Sequence, residues 1–386
     1  MVILKLLGVF SMRIGISCYS TYGGSGVVAT EVGKALASKG HEVHILSPSI
    51  PPRLVGFEDH VIFHEVSASP YPLFETDLFS IALASKMADA ADRHHLDIIH
   101  AHYAIPHASA ALLARMALEG KIKVVTTLHG TDITAVGSDP SYLPMVRLAI
   151  KESDAVTVVS EYLKAQTLQT FGVSRHIDVV YNFACPPKVD ENAQCSRDCR
   201  AWLSPGGEPI LAHVSNFRPV KRVMDVLRVF ESVRQSHPCK LVMVGDGPDR
   251  LEAENYAREK NMEADVRFTG KLLDIDSVLS CTDIFLLPSS TESFGLAALE
   301  AMSHGAPVVA SRAGGIPEVV REGVDGYLSD VSDIQGMAAN VSKLLADPEL
   351  RQSMSRSAKK RALNDFAEGP IVEQYEEIYR KVLGNL

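Results

Sequence analysis

The sequence predicts an α/β protein built as two Rossmann-like, doubly wound domains facing each other across a cleft. Three observations lead there. Short β-branched runs alternate with helical stretches through residues 13–181; the alternation breaks over 185–208; and it restarts at Ile210. Runs of this kind, each followed by a helix, are the mark of parallel strands covered on both faces. The 386 residues exceed one ordinary hydrophobic core and suit two. The expected division is an N-terminal domain over 12–184, a connection over 185–208, a second domain over 209–365, and a C-terminal helix over 366–386 that packs back toward the first domain.

Residues 13–19 read as the first strand, Gly23-Gly24-Ser25-Gly26 as the turn after it, and 27–39 as a helix ended by Gly40. Strands follow at 41–47, 98–101, 124–128, 156–160 and 177–181, with an Ala-rich helix of mixed charge at 77–93. The stretch CPPKVDENAQCSRDCRAWLSPGGE has no clear period and reads as the interdomain connection. Beyond it come strands at 210–214, 241–245, 266–269, 284–287 and 308–311. Helices start at Arg222 and Pro248, another lies near 295–304, and the last lies near 372–383. In such sheets ligands bind at the carboxyl ends of the strands, which here face the crevice between domains.

Bulk chemistry narrows the class. Hydrophobic residues make up 46% and charged residues 22%, the balance of a soluble globular protein. A net charge of −9 does not favour nucleic acid or an anionic membrane. No apolar run approaches the ~20 residues of a membrane span. The first eleven residues are apolar but run straight into the first strand without a small-residue cleavage site, so the expected location is cytoplasmic. Met12 reads as a true or alternative start, with the extension as a tail. Six cysteines include no Cys-x-x-Cys pair. Neither a zinc ribbon nor a thioredoxin-like motif is indicated, and free thiols in a reducing compartment are expected. Cys195 and Cys199 could share a helix face.

Three turns carry the candidate chemistry. Gly23-Gly24-Ser25-Gly26 lets a ligand approach the backbone at a helix N-terminus, where an anion is favoured. It lacks the Gly-x-Gly-x-x-Gly spacing of a dinucleotide site, which argues against redox chemistry. Ser215-Asn216-Phe217-Arg218-Pro219-Val220-Lys221-Arg222 sets three cations at a strand-to-helix turn. Cations oppose the helix dipole there, so a diphosphate is the reason that fits them. Glu292 and Glu300 flank Ser293-Phe294-Gly295-Leu296. Were the whole segment helical, eight residues would separate them by ~12 Å. That exceeds the roughly 5–9.5 Å of glycosidase pairs and suits two contacts along one extended ligand.

The Glu–seven residues–Glu segment resembles the signature of the retaining family-four glycosyltransferases of GT-B type. Phe217–Arg222, Gly245-Asp246-Gly247-Pro248, Phe268-Thr269-Gly270-Lys271 and Ala313-Gly314-Gly315-Ile316-Pro317-Glu318 resemble that family in its usual order. In the N-terminal half, Ile16-Ser17-Cys18-Tyr19, the run from Gly23 to Glu31, the run from His100 to Ala108, and the run from Leu128 to Thr134 resemble the bacillithiol-pathway branch. The resemblance implies transfer of N-acetylglucosamine from UDP-N-acetylglucosamine to the hydroxyl of L-malate with retention. It assigns Arg218 and Lys221 to the diphosphate, Glu300 to the ribose and Glu292 to the donor sugar, with the amides of Ser293, Phe294, Gly295 and Leu296 nearby. Lys271 and Leu272 border the uracil, and His129 faces the reacting centre. Gly24, Ser25, Tyr103 and Thr131 are the acceptor candidates. Glu292, His129, Lys221 and Arg218 form the catalytic set.

No cofactor and no metal site is expected. His100, His102 and His107 lack ligating carboxylates and a clear spacing, and read as sheet-edge polar residues. Asp274-Ile275-Asp276 reads as a helix cap. No basic apolar helix for membrane docking is found in the first domain. The competing readings are a transferase with an inositol phosphate or lipid acceptor and a non-catalytic sugar-nucleotide binder. A homodimer is left open.

Overall fold

The computed structural model describes residues 11–21, 23–68, 78–134, 136–187 and 194–384. Residues 1–10 of the proposed tail before Met12, the first residue of the 77–93 helix and part of the 185–208 connection lie outside these. The chain divides into two compact units: residues 1–181 together with 369–386, and residues 182–368.

The first unit contains β1 (Arg13–Ser17), α1 (Gly24–Ser38), β2 (Glu42–Ser47), β3 (Val61–Glu65), α2 (Phe79–His94), β4 (Ile98–His102), α3 (Ser109–Ala117), β5 (Lys123–Leu128), α4 (Thr131–Thr134), α5 (Leu143–Glu152), β6 (Ala155–Val158), α6 (Glu161–Phe171) and β7 (Asp178–Val179). The strands form one parallel sheet in the order β3-β2-β1-β4-β5-β6-β7. Strand order reverses beside β1, so the turn after β1 sits at the topological switch point, where doubly wound sheets bind ligands. The central strands are buried on both faces, which is why they read as continuous apolar runs.

The second unit contains α7 (Gln194–Leu203), β8 (Ile210–Ser215), α8 (Val223–Arg234), β9 (Lys240–Gly245), α9 (Arg250–Glu259), β10 (Val266–Gly270), α10 (Asp276–Leu279), β11 (Ile284–Leu287), α11 (Leu296–Ser303), β12 (Val308–Ser311), α12 (Ile316–Val319), β13 (Gly326–Ser329), α13 (Ile334–Ala346) and α14 (Pro348–Asp365). Its sheet is also all parallel, in the order β10-β9-β8-β11-β12-β13, with the switch beside β8. Leu211, Phe230, Leu241, Ile284 and Val341 belong to its core.

The last helix, α15 (Glu368–Leu383), returns to the first unit. Tyr375 and Tyr379 are buried there, and the Tyr379 hydroxyl lies 2.7 Å from His100 Nδ1. Glu376 meets His41 at 2.9 Å and also engages Lys39.

Several elements differ from the sequence reading. The helix after the first strand starts at Gly24 rather than 27, so the glycine run is itself the first helical turn. The 185–208 stretch contains α7, a ten-residue helix. Its sequence is polar on average and lies between two prolines at 186–187 and Pro205-Gly206-Gly207, so composition reads it as part of a connection. Its Cys199 comes within 3.6 Å of Cys281 as a free thiol. Two strands, β3 and β13, were not anticipated. β3 is a half-exposed edge strand, and β13 is only four residues long. His100 and His102 are not at a sheet edge: β4 pairs with both β1 and β5, and the two rings are fully buried.

Candidate functional site

In the second unit the chain leaves β8 through Asn216 and Phe217, makes one 3-10 turn at Pro219–Lys221, and enters α8. Phe217 is buried with φ of 41°, and Arg222 has φ of 52°. Two glycines pass against this turn. A Cβ on Gly245 would lie 1.7 Å from the Ser215 carbonyl oxygen, and one on Gly247 would lie 2.1 Å from that of Asn216. The Gly245-Asp246-Gly247 motif therefore exists to admit close backbone approach.

The three cations of this turn have different fates. Arg222 pairs with Asp225 at 2.5 Å, and Arg228 reaches the same carboxylate at 3.1 Å. Asp225 lies in the first turn of α8, where it offsets the unfavourable cation–dipole interaction. Lys221 is half-buried, with Nζ 2.5 Å from Glu292 Oε1, and Ser289 donates to that oxygen at 2.9 Å. Arg218 is exposed and makes no ion pair among the described residues. Two cations thus remain for an anion, one free and one held by Glu292.

Beneath them lies His213, which the sequence reading did not single out. Its Nδ1 is 2.9 Å from the Leu286 carbonyl, so Nδ1 carries the proton. Nε2 then accepts from the Ser215 hydroxyl at 2.8 Å, and that hydroxyl accepts from the Phe217 amide at 3.2 Å. Burial, assisted by the Lys221 charge, pulls this imidazole down to about 4. The turn rests on a neutral histidine. A lone His inside an apolar strand gives no sequence signal for that role.

Glu292 lies in the loop between β11 and α11, not in a helix. The helix begins at Leu296 after Gly295, which has φ of 102°. The spacing to Glu300, half-buried in α11, is therefore only partly helical, and the estimate based on a continuous helix does not apply. Gly314 and Gly315 cradle this loop. Cβ atoms there would stand 1.8 Å from the Glu292 carbonyl oxygen and 2.5 Å from that of Ser293, and the Gly315 amide donates to the Glu292 carbonyl at 2.9 Å. Phe294 turns away into the core against Phe366, with ring centroids 5.7 Å apart. Only its backbone is available to a ligand. Ser293 and Leu296 are half-buried. Lys271 is exposed and Leu272 half-buried, just after β10. Asp274 accepts the Asp276 amide at 2.9 Å, while Asp276 faces His304 at 3.2 Å.

In the first unit, α1 starts at the switch point with no side-chain cap and no acidic residue in its first turn. Gly24 is exposed and Ser25 half-buried. A Cβ on Gly26 would lie 2.5 Å from the Tyr19 carbonyl oxygen. The Tyr19 ring meets Tyr103 edge-on at 5.2 Å and His107 at 4.6 Å. Tyr103 has φ of 98°, a strained value for a non-glycine residue, and stacks on His129 at 5.4 Å. His129 Nε2 lies 2.9 Å from His102 Nδ1, and Ser17 lies 2.7 Å from His107 Nδ1. Burial draws His107 and His129 down to about 3, so this aromatic cluster is uncharged at neutral pH. The buried Nε2 atoms of His102 and His107 have no hydrogen-bond partner among the described residues.

Asp132 organises the cluster. Buried, it accepts the amides of His129 at 3.1 Å, Gly130 at 2.8 Å and Ala104 at 3.2 Å. Burial pushes its carboxyl up to about 6 against the pull of those amides. Thr131 is exposed at the start of α4. Asp132 lies in the run from Leu128 to Thr134, and the sequence pattern assigns it no role. Only the fold shows that it joins the His129 loop to the turn after Tyr103.

Comparison with known proteins completes the picture. Residues 197–361 match the family model for glycosyl transferases group 1, and residues 22–184 match glycosyltransferase family 4. The chain is 44% identical over 376 residues to the N-acetyl-alpha-D-glucosaminyl L-malate synthase of Bacillus anthracis, covering 96% of this chain and 97% of that one. It is 28% identical to a GDP-mannose-dependent phosphatidylinositol monomannoside mannosyltransferase of Mycolicibacterium smegmatis, over 74% of this chain and 76% of that protein. Among solved structures, sucrose-phosphate synthase of Thermosynechococcus elongatus superposes with a TM-score of 0.80 at 21% identity, covering 97% and 100% of the two chains. Anabaena HepE, solved with UDP and glucose, gives 0.79 at 21% identity, covering 95% and 98%. Two parallel α/β units of GT-B type, two matching family models and a 44% identical relative along almost the whole length establish that this chain is an enzyme belonging to the family-four glycosyltransferases.

Proposed function

We propose that the enzyme transfers N-acetylglucosamine from UDP-N-acetylglucosamine to the hydroxyl of L-malate with retention at the anomeric carbon, the first step of bacillithiol biosynthesis in the cytoplasm. The observation that carries this reading is the 44% identity, over 96% of the chain, to a synthase of that name. The geometry of the two units supports it. Arg218 and Lys221 are the cations available at the turn after β8, and they take up the charge of the departing UDP. Charge stabilisation of this kind is usually the largest catalytic contribution. Glu292 holds Lys221 in place and contacts the donor sugar, with the amides of Ser293 to Leu296 beside it. Glu300 accepts from the ribose hydroxyls, and Lys271 and Leu272 border the uracil.

The acceptor is assigned to the first unit. The uncapped start of α1 at Gly24 and Ser25 suits a carboxylate of malate. Tyr103 and Thr131 orient the second carboxylate or the attacking hydroxyl. His129, uncharged, offers a hydrogen bond to the sugar without adding charge. The sugar–phosphate bond breaks early to an oxocarbenium-like sugar. Malate attacks on the same face, and the departing phosphate takes its hydroxyl proton. Glu292 positions and does not attack.

The test is UDP release from UDP-N-acetylglucosamine in the presence of malate, inositol phosphate or water alone. Malate-dependent release with a malate glycoside as product is the expected result. Release dependent on inositol phosphate alone, or none with any acceptor, would overturn the assignment.

A further inference from the structure

Three histidines of the first unit converge away from the residues discussed so far. His44 lies on β2, His64 on the edge strand β3, and His94 is the last residue of α2. The β2–β3 register pairs Leu46 with His64, and side chains two apart on a strand share a face, so His44 and His64 are diagonal neighbours. Their rings stack with centroids 5.0 Å apart, and the His94 ring closes the group at 4.5 Å from His44 and 5.3 Å from His64. One ring nitrogen from each lies within 4.8 Å of the others. We propose that His44, His64 and His94 bind one first-row divalent metal ion of the zinc class, which clamps the edge strand β3 and the end of α2 onto β2.

Protonation prepares the site. His44 Nε2 lies 2.9 Å from Glu42 Oε1. An ionised carboxylate only accepts, so the ring proton sits on Nε2 and Nδ1 presents a lone pair. That Nδ1 is the atom 2.8 Å from His64 Nε2. A carboxylate on the far nitrogen of a ligating imidazole is the usual outer partner at zinc, where it fixes the tautomer and raises basicity. Without metal, His64 donates its Nε2 proton to His44. Metal binding moves that proton to Nδ1 of His64, so the ring stays neutral and no net charge is lost.

The distances ask for small adjustments. A Zn–N bond of about 2.0–2.1 Å in tetrahedral geometry places nitrogens about 3.4 Å apart. The closest pair must open from 2.8 Å, and the widest must close from within 4.8 Å. His64 and His94 are half-buried and can move, whereas His44 is buried and fixed. Imidazole suits Zn2+, Cu2+ and Ni2+, and no thiolate takes part. His94 ends a 16-residue helix, whose negative dipole end favours a cation. Of the nearby charges, Arg13 and Lys86 oppose a cation, while Glu42 and Asp89 favour it.

The test compares the full chain with the H64N/H94A double variant and with H60A, which removes an exposed histidine near β3. Each is stripped with EDTA, desalted and titrated with ZnCl2 by calorimetry. Circular dichroism and melting in EDTA establish that the variants are folded. The full chain and H60A should bind one more equivalent of Zn2+ than the double variant. Zinc at a hundred times its dissociation constant should raise their melting midpoint by about 5 °C, and hydrogen exchange in β3 should slow. Neither effect should occur in the double variant. Equal zinc stoichiometry and affinity in the full chain and the double variant would overturn the proposal.

Discussion

Lys221 and Glu292 meet at 2.5 Å, and Arg218 stands exposed beside them, so the two cations should fail in different ways when removed. Lys221→Ala also strips a half-buried carboxylate of its counter-charge, leaving it the Ser289 hydroxyl as a donor. Each alanine substitution should lower turnover by about 10²–10³-fold with the fold intact, because leaving-group charge develops mainly in the transition state. Steady-state rates together with melting curves decide this, and wild-type turnover in both variants would remove the diphosphate assignment. In the first unit, Gly24→Val should abolish malate use while leaving UDP binding nearly unchanged, since a side chain there pushes the ligand off the backbone. Ser25→Ala should raise the malate requirement more modestly. The helix-end interaction at stake is ~0.3–1 kcal/mol when exposed and up to ~2 when partly buried. Calorimetry with UDP and initial rates with malate separate the two effects. Weakened UDP binding with malate use spared would reverse the assignment of this turn.

At the scale of elements, the loop carrying Glu292 owes its position to a neighbouring turn. Gly314 has φ of 58° and no room for a methyl group, so Gly314→Ala must displace the backbone of Glu292. The expected cost is about 1–3 kcal/mol of stability. The expected loss of activity is larger than the unfolded fraction explains, and the comparison of rate with denaturation midpoint measures it. Helix α15 is the second case. Tyr379→Phe removes the bond to His100 inside the first unit and should cost about 1 kcal/mol in denaturant unfolding. Positions of this kind were legible only as motifs. Ala313-Gly314-Gly315 stood out in the sequence, but that its glycines exist for the carbonyls of Glu292 and Ser293 depends on two segments about twenty residues apart meeting backbone to backbone.

For the molecule as a whole, buried histidines set the response to acid. His100 and His107 are held near 3, and His102 well below its usual value, all chiefly by burial. Their unfolded value is about 6.5. Between that pH and 3 the unfolded chain binds protons that the folded chain does not, so stability falls as pH drops below about 6.5. Asp132, raised to about 6, works in the opposite direction between pH 6 and its unfolded value of 3.8. The histidines outnumber it. His129 is held near 3 as well, so four histidines oppose one carboxyl, and denaturant unfolding of the first unit should lose about 4 kcal/mol per pH unit near pH 5. A flat profile from pH 7 to 5 would show that these rings are protonated in the native state. Transfer itself should survive excess chelator at assay temperature, because Asp274 serves the backbone amide of Asp276 and Asp276 serves His304. Loss of rate on chelation, restored by magnesium or manganese, would overturn the metal-independent reading of those two carboxylates.

The sequence alone determined the two doubly wound units, the turns after β1 and β8, and the glycine and carboxylate motifs of the second unit. These are local properties: a strand buried on both faces must be apolar along its length, and the turns between strand and helix show their glycines and cations in a few consecutive residues. Tertiary structure alone decided which of the three cations stays free, since Arg222 is drawn to Asp225 and Lys221 to Glu292. It alone brought Asp132 to the amides on both sides of the His129 cluster, and His213 beneath the turn that carries Lys221. It also turned Phe294 into the core, so that one candidate donor contact can act only through its backbone. The edge strand β3 escaped the pattern because it is half-exposed and buries no continuous apolar face, and α7 because prolines and glycines flank a polar stretch. Charge pairing, burial and backbone approach join residues far apart in the chain, and periodicity along the chain carries no record of them.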